Sequence, residues 1–481
     1  MPKPVLLWTD AVLYLMVVAL AWAVWRIRVN ENLRANWTKV LRDPAALCAG
    51  IVLALFALVT LADSVHFRRA LPPAAGAPAD ATVFYATSTE SVLDLLLARQ
   101  LAMRETGYSE PLAYLGLNKE PMERDGRPVR DFPRLRHGGA HLVDPAAQWA
   151  GDVTRRALGG AAGGALIAAC VALAAAMALR RSHGGVGSAM RDLAAGRTDL
   201  PLRAALLTVL GLGLIGGAVA GLMGHYHVLG TDRTGNDVLV QALKSVRTAF
   251  VIGTLATVAT LPFAVALGIL AGYFRGWVDE LIQYLYTMLS SVPNVLLIAA
   301  CVLMVQVFID QNAELFETGL ERSDLKILLL CVILGVTGWA TLCRLVRGET
   351  LKLRELEFVQ AATAFGVSPA RIMARHIMPN VMHLVLITTV LSFSELILYE
   401  AVLTYVGVGV DPSMNSFGGM INLARSEMSR DPLVWWSFAA AFGFMVCLVL
   451  AANLFADGVQ EAFDPRARAF RPRLAAQRKK A

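Results

Sequence analysis

The sequence has little charge for its length. Of its 481 residues, 17% are Asp, Glu, Lys or Arg and 56% are hydrophobic, and the mean hydropathy is +0.54. Soluble domains keep about a quarter of their residues charged, so this composition excludes a soluble globular protein and predicts a multi-spanning membrane protein. The formal net charge of +7 comes from basic residues in short loops beside apolar runs. That placement sets membrane topology and does not predict nucleic-acid binding.

The sequence also lacks the motifs of nucleotide and metal chemistry. No Gly-x-x-x-x-Gly-Lys-Ser/Thr occurs, so the chain carries no P-loop. The six cysteines fall in or beside apolar runs, without the spacing of a metal clamp or a disulfide framework. His137 and His141 are four residues apart, but Gly138-Gly139 between them predicts a loop rather than a metal-binding helix. No Ser/His/Asp set or carboxylate pair stands out, so we expect no enzyme activity, metal or cofactor in this chain.

Long apolar runs, by contrast, are abundant. A bilayer core about 30 Å thick requires about 20 apolar residues per helix. Nine runs meet or approach this length: 5–25, 45–62, 159–179, 204–223, 249–272, 283–307, 326–343, 384–408 and 434–456. The first, Val5–Trp25, is too long for the core of a secretory signal and lacks a small-residue cleavage site, so we expect it to remain as a membrane helix.

Basic residues lie on alternate sides of these runs. Arg and Lys concentrate in the loops 26–44, 180–203, 273–282 and 344–380 and in the tail, whereas 309–325 is acidic. The positive-inside rule therefore predicts that these basic loops and the C-terminus are cytoplasmic. The N-terminus and residues 63–158 are then predicted to lie outside.

Two stretches differ from plain spans and loops. Residues 31–43 form either an amphipathic helix in the membrane interface or a plain connector. Residues 63–158 predict a small outward-facing soluble insertion. Its clearest element is a helix from about Ser88 to Thr106, with Thr87 and Glu90 at capping-box spacing and Gly107 as its terminator.

Glycines recur in the runs 159–179 and 204–223. Four pairs are four residues apart: Gly159/Gly163, Gly160/Gly164, Gly213/Gly217 and Gly217/Gly221. Such spacing lets helices pack backbone to backbone in lipid. We expect these two helices to dock against the core or a partner, although chance could also produce the pattern.

A charged island at 344–380 separates two apolar runs. Residues 351–365 contain no Pro or Gly and favour a helix that Gly366 would end. Ser368-Pro369 then supplies an N-cap and a first-turn Pro for a second helix, which we expect Pro379 to stop. The sequence predicts a compact knob whose small tip residues would admit the groove of a partner: Ala361, Ala362, Ala364 and Gly366.

Two motifs of this island, Glu357-Phe-Val-Gln-Ala-Ala-Thr-Ala-Phe-Gly-Val-Ser368 and Arg375-His-Ile-Met-Pro-Asn380, resemble the EAA loop of ABC-importer permeases. The version they match belongs to the dipeptide, oligopeptide and nickel class. The resemblance implies that the knob rests in a groove of an ATPase subunit and transmits its movement. The residues implied for ATPase coupling are Glu357, Ala361, Ala362, Gly366, Ser368, Arg375, His376, Pro379 and Asn380.

The resemblance extends from Leu229 to Arg468, and residues 36–62 are similar to the first core span of the family. Further matching stretches are 229–239, where Asn236 replaces the usual Arg, 271–279, Ser291-Val-Pro293 as the kinked start of a span, 400–409, 416–420 and 453–466. Residues 63–224 would then be an insertion within the core.

The fold implied is an all-α polytopic membrane protein. It has a type I ABC-importer permease core of six transmembrane helices, about three accessory helices and a small outward-facing soluble insertion. The implied divisions are an accessory transmembrane helix at 1–30, an elbow helix and first core span at 31–62, the soluble insertion at 63–158, an accessory helix pair at 159–224, the permease core at 225–465 and a basic cytoplasmic tail at 466–481.

The function implied is that of a permease subunit in the bacterial inner membrane, forming a pathway for peptides or related small solutes. The implied partners are a homologous permease in a heterodimer, two ATP-binding-cassette ATPase subunits, an extracytoplasmic solute-binding protein and the lipid bilayer. ATP and Mg would be bound by the ATPase subunits.

Four polar residues lie in or at the ends of apolar helices, where an unpaired polar or charged group is costly: Glu395, Glu400, Asn453 and Asp457. We expect them to face the translocation pathway or a partner. Glu400 could instead make a hydrogen bond in helix packing. The alternative function is a self-sufficient secondary transporter or channel in which Glu395, Glu400 and Asp457 relay protons.

Overall fold

The computed structural model describes residues 3–71, 84–86, 88–124, 127–180, 184–312, 314 and 318–463. Its helices are α1 (Trp8–Val29), α2 (Glu31–Arg42), α3 (Pro44–Ser64), α4 (Val92–Leu96), α5 (Ala98–Ala102), α6 (Pro145–Leu179), α7 (Val186–Ala195), α8 (Leu202–Leu222), α9 (Val238–Phe274), α10 (Gly276–Ser291), α11 (Asn294–Gln311), α12 (Gly319–Arg354), α13 (Glu357–Ala364), α14 (Pro369–Ile372), α15 (Met378–Val406), α16 (Phe417–Glu427) and α17 (Trp436–Phe463). The short strands are β1 (Lys3–Val5), β2 (His66–Arg68), β3 (Glu90–Ser91), β4 (Glu120–Arg124) and β5 (Arg127–Asp131).

Nine helical segments of the described chain are long and apolar enough to cross a bilayer, as the sequence predicts. They are α1, α3, α6, α8, α9, α11, α12, the segment Pro369–Val406 that contains α15, and α17. The predicted all-α polytopic fold is therefore confirmed. Several of these helices are longer than their apolar runs, because helical backbone continues past the hydrophobic stretch into the polar loops.

Two predicted helices are interrupted. The run 283–307 is not one span, because the helix breaks at Val292 and Pro293, between α10 and α11; Pro lacks an N–H and cannot continue the preceding helix. The helix predicted from Ser88 to Thr106 is two five-residue helices, α4 and α5. The capping box there uses Ser91 and Asp94, while Thr87 lies outside the described residues.

The two ends of the helix bundle can be told apart by what meets there. At one end, β1 pairs antiparallel with β2, which pairs with β3, so the N-terminus and the start of the insertion lie together. At the opposite end, Trp37 of α2 contacts Phe463 of α17, with ring centroids 5.7 Å apart. Residues 355–377 also lie at this second end, which we call the knob end. Residues 31–43 are thus largely helical, as one of the two sequence alternatives predicted.

A buried charge cluster at the first end binds α1 to the core. Arg247 of α9 donates to Asp10 of α1 at 2.6 Å and to Ser64 Oγ at 3.1 Å. Asp10 also contacts His66 Nδ1 at 2.8 Å, and Asp324 of α12 accepts from the Thr9 backbone N–H at 2.9 Å. Because these charges are buried together, separating α1 from α9 and α12 would leave each without its partner.

The insertion is attached to the loop before α9 through His227. Its Nδ1 lies 2.8 Å from Asp237 Oδ2, and its Nε2 lies 3.5 Å from Glu105 Oε1. Burial opposes charge on the imidazole, but the two carboxylates outweigh it and raise the pKa of His227 to about 9. Burial likewise opposes charge on Glu105, but His227 and the backbone N–H groups of residues 136–138 lower the pKa of Glu105 to about 2. Both groups are therefore charged near neutral pH.

Candidate functional site

The turn at the tip of the charged island is built as the sequence predicts. Helix α13 ends in a Schellman motif, in which the Val367 N–H donates to Ala362 O at 3.1 Å and the Gly366 N–H donates to Thr363 O at 3.0 Å. Gly366 has φ +74°, a conformation that costs other L-residues about 1–2 kcal/mol. The glycine is therefore required by the turn, and no neighbouring atom would block a side chain there.

The flanks of this turn differ from the prediction in two ways. Residues 351–365 are not one helix, because α12 runs to Arg354 and α13 starts afresh at Glu357. Pro379 does not stop the second helix, which passes through a π-helical turn at Met373–Ile377 into α15. Pro379 lies in the first turn of α15, directly after this π-helical turn. Ser368 occupies the N-cap position, but its side chain makes no cap hydrogen bond.

We use "coupling knob" for residues 355–377. Its inner face is buried against the ends of α9 and α12 in one apolar cluster that includes Val359, Ala362, Ile372 and Ile377. The buried Val and Ile side chains each contribute about 1.5–3 kcal/mol. The knob is therefore packed directly onto the ends of α9 and α12.

Ion pairs reinforce the base of the knob. Arg347 of α12 donates two hydrogen bonds to Asp279 of α10, at 2.5 and 2.7 Å. Arg354 donates to the carbonyl of Tyr273 at 2.6 Å, and Arg275 pairs with Glu355. These contacts join the ends of α9, α10 and α12 just below the tip.

The predicted coupling residues divide between the surface and the interior of the knob region. Seven are exposed: Glu357, Ala361, Gly366, Ser368, Arg375, Pro379 and Asn380. His376 is half-buried beside Phe358, with ring centroids 6.1 Å apart. Ala362 is buried and faces the core, so its predicted place at the tip surface is wrong. The sequence reasoning also missed Phe365, which is 87% exposed at the tip.

A polar cavity of about 660 Å³ opens in the bundle among α9, the break between α10 and α11, α12 and α15. Threonine side chains from three of these helices line it: Thr257, Thr260, Thr337, Thr341, Thr388 and Thr389. Helices α12 and α15 both continue from this cavity to the coupling knob. Two walls of the cavity are therefore formed by helices that adjoin the knob.

The four intramembrane polar residues predicted for the pathway do not lie together. Glu395 lines the cavity. Glu400 is fully buried, where Thr404 Oγ1 donates to its carboxylate at 2.9 Å, so helix packing is the alternative that fits it. Asn453 and Asp457 lie on the exposed surface of α17, apart from the residues that line the cavity. Glu395, Glu400 and Asp457 therefore have separate surroundings and form no continuous proton relay among the described residues.

Sequence reasoning missed the hydroxyl lining and the buried charge cluster at Arg247. Threonines at 257/260 and 337/341 are three or four residues apart, which places each of these pairs near one face of its helix. Asp10 inside an apolar run was a second available signal, because an ionisable residue there needs a partner.

Comparisons with known proteins agree with this architecture. The family model of the binding-protein-dependent transport system inner membrane component matches residues 264–469. The oligopeptide transport system permease protein OppC of Mycobacterium tuberculosis (strain ATCC 25618 / H37Rv) is 32% identical over 248 residues, which are 52% of this chain and 79% of that protein.

Two further relatives give similar values. OppC of Escherichia coli (strain K12) is 32% identical over 245 residues, covering 51% of this chain and 74% of that protein. The dipeptide transport system permease protein DppC of Alkalihalophilus pseudofirmus (strain ATCC BAA-2126 / JCM 17055 / OF4) is 30% identical over 240 residues, covering 50% and 72%. Among solved structures, an inward-facing MetNI methionine ABC transporter covers 47% of this chain and 96% of that chain, at 18% identity and a TM-score of 0.35. That score is too low to support a helix-by-helix comparison.

Proposed function

Because the chain belongs to the ABC-importer permeases of the peptide-transport family, we propose that it forms part of a translocation pathway for peptides or related small solutes. It is a multi-pass membrane protein and not itself an enzyme. Importers of this family work with ATPase and substrate-binding partners. In this proposal the ATPases bind ATP and Mg, and a second, homologous permease completes the pathway as a heterodimer.

The observation that carries this proposal is the connection between the coupling knob and the cavity. The tip of the knob is exposed, with the Phe365 side chain 87% exposed, while the base of the knob is buried and joined by ion pairs. Helix α12 extends without a break from Arg354 at the knob to Thr337 at the cavity. An ATPase that gripped the tip would tilt α12 and α15 and so alternate access to the cavity, as a rigid-body transition between two states.

The proposed orientation puts the coupling knob in the cytoplasm of a bacterial cell, across the inner membrane from the insertion. The knob end carries the basic residues Arg347, Lys352, Arg354 and Arg371, which favours the cytoplasmic side. The strand pairing of β1 with β2 supports an N-terminus on the opposite side, where the solute-binding protein docks. Arg371→Cys should react with an impermeant maleimide only from the cytoplasmic side.

The proposed division of the chain into core and accessory segments follows from the same orientation in the membrane. Residues 31–62 and 225–465 form the permease core, with 1–30 and 159–224 as accessory spans and 63–158 as the outward-facing insertion. The basic tail at 466–481 lies outside the described residues. Removing an accessory segment would test whether the core transports alone.

The test of the function is uptake by the complete transporter in vesicles. We expect uptake of a tripeptide to require ATP and the binding protein, and a proton gradient alone to drive none. Uptake on a proton gradient without ATP would support the secondary transporter instead.

Variants at Gly366 test the coupling role within the same assay. Complete transporters that carry Gly366→Glu or Gly366→Val should hydrolyse ATP without uptake at normal membrane levels, because neither residue favours the left-handed turn. Gly366→Asn is the matched control, since Asn tolerates that conformation, and it should retain most uptake. Normal uptake by Gly366→Glu would contradict the assignment.

A further inference from the structure

Five of the six threonine hydroxyl groups that line the cavity are already used as donors. Thr257, Thr260 and Thr337 donate to backbone carbonyls four residues earlier in their own helices, at 2.6, 2.8 and 2.8 Å. Thr388 and Thr389 do the same, at 2.8 and 2.6 Å. A hydroxyl has one O–H to donate and two lone pairs to accept. These oxygens can therefore offer only hydrogen-bond acceptors to a molecule in the cavity.

The charged side chain on the cavity wall also favours a hydrogen-bond donor in the bound molecule. Glu395 is the one ionisable side chain besides Tyr399 among the described residues that line it, and no Lys, Arg or His joins them. The Tyr399 hydroxyl bonds to both Glu395 and Asn294, so these three side chains hold each other in position. A carboxylate within a membrane span is costly without a counter-charge, and Glu395 lacks a cationic partner in this wall.

We propose that this cavity binds the positively charged amine end of the transported molecule, with Glu395 as its counter-ion. An ammonium group has three N–H donors and no acceptor, which complements a cavity lined by one carboxylate and by threonine oxygens that can only accept. A volume of about 660 Å³ lies within the range that holds small-molecule ligands. Substrates whose only charge is negative are disfavoured at this wall. The inference rests on the proposed function, because it assigns specificity within the same pathway.

The experiment compares trialanine with N-acetyl-trialanine, which lacks the ammonium. Both are offered to the complete transporter in vesicles at concentrations that saturate the binding protein, so that delivery is equal. A hydrogen bond to a charged group changes affinity by roughly 10- to 100-fold. Glu395→Gln should therefore slow ATP-driven uptake of trialanine at least tenfold and leave the acetylated peptide within about twofold of wild type.

A threonine pair supplies the matched control for the acceptor wall. Thr260→Val removes an oxygen that lines the cavity and should raise the KM for trialanine several-fold. Thr254→Val removes an equivalent hydroxyl, bonded to Phe250 O at 2.8 Å, from the same helix outside the cavity, and should leave KM unchanged.

The possible outcomes separate the two proposals. If wild type transports both peptides and Glu395→Gln slows both equally or neither, this inference is overturned while the transport function stands. If wild type moves neither peptide on ATP, the proposed function itself fails. Equal effects of Thr260→Val and Thr254→Val would also overturn the acceptor wall.

Discussion

The glycine seam between α6 and α8 gives the sharpest test of the packing. An ideal Cβ at Gly164 would lie 1.7 Å from the backbone oxygen of Gly213, and one at Gly160 would lie 2.1 Å from that of Gly217. On a different face of the same helix, a Cβ added at Gly163 would meet no atom within 4 Å. Gly164→Ala and Gly163→Ala therefore make the same chemical change, one inside the seam and one facing outward.

The magnitude follows from the contact distance. Ordinary contact begins at 3.4 Å, so the methyl group of Gly164→Ala would push the two helices apart by roughly 1.7 Å at this point. Overpacking of this kind costs about 1–3 kcal/mol. In both variants alanine stabilises the helix by about 1 kcal/mol relative to glycine. Only in Gly163→Ala is this gain not offset by overpacking. We expect the two variants to differ by roughly 1–3 kcal/mol in free energy of unfolding.

The assay is thermal unfolding of each purified protein in the same detergent, with tryptophan fluorescence as the readout. Gly164→Ala should unfold below wild type, and Gly163→Ala at or above it. Equal midpoints for the two variants would refute the backbone-to-backbone seam.

Three other predictions concern the knob and the insertion. Arg347→Asp or Asp279→Arg alone should cost about 1.5–3 kcal/mol and reduce uptake, and the double exchange should recover both; no recovery would refute the pair. Phe365→Ala should weaken cross-linking of the knob to the ATPase without lowering thermal stability, since the side chain is 87% exposed. Because the pKa of His227 is raised from 6.5 to about 9, its stabilisation is complete below about pH 6.5 and is lost as pH rises through about 9. Proteolysis of the insertion should therefore accelerate above pH 9 in wild type, whereas His227→Gln should be cleaved readily already at pH 7.

Local patterns were enough to predict much of the architecture. Hydropathy depends on neighbouring residues alone, so the nine spans could be counted from the sequence. Gly366 could be predicted to end a helix because its left-handed conformation is a property of one residue and its turn. The glycines of α6 and α8 indicated close helix packing, although the sequence did not show which pairs face each other.

Errors arose where distant segments decide the outcome. Good helix formers at 351–365 predicted one helix, but the knob folds back onto α9 and α12, and this requires a break at Glu355 and Leu356. Ala362 belongs to a small-residue motif, yet its contacts with the core place it inside. Pro379 reads locally as a stop, whereas the π-helical turn before it lets the helix continue into α15.

Composition and residue spacing by themselves determined that this chain crosses the membrane repeatedly, which of its loops are basic and where its knob turns. Each of these features depends on lipid solvation, charge placement or backbone conformation, which act over a few residues. Only the tertiary structure decided that Arg247 of α9 pairs with Asp10 of α1, that Glu395 faces a cavity while Glu400 is buried, and that threonines from three helices line that one cavity. Those arrangements depend on the angles and depths at which separate helices meet, and such long-range geometry leaves no signal in any single stretch of sequence.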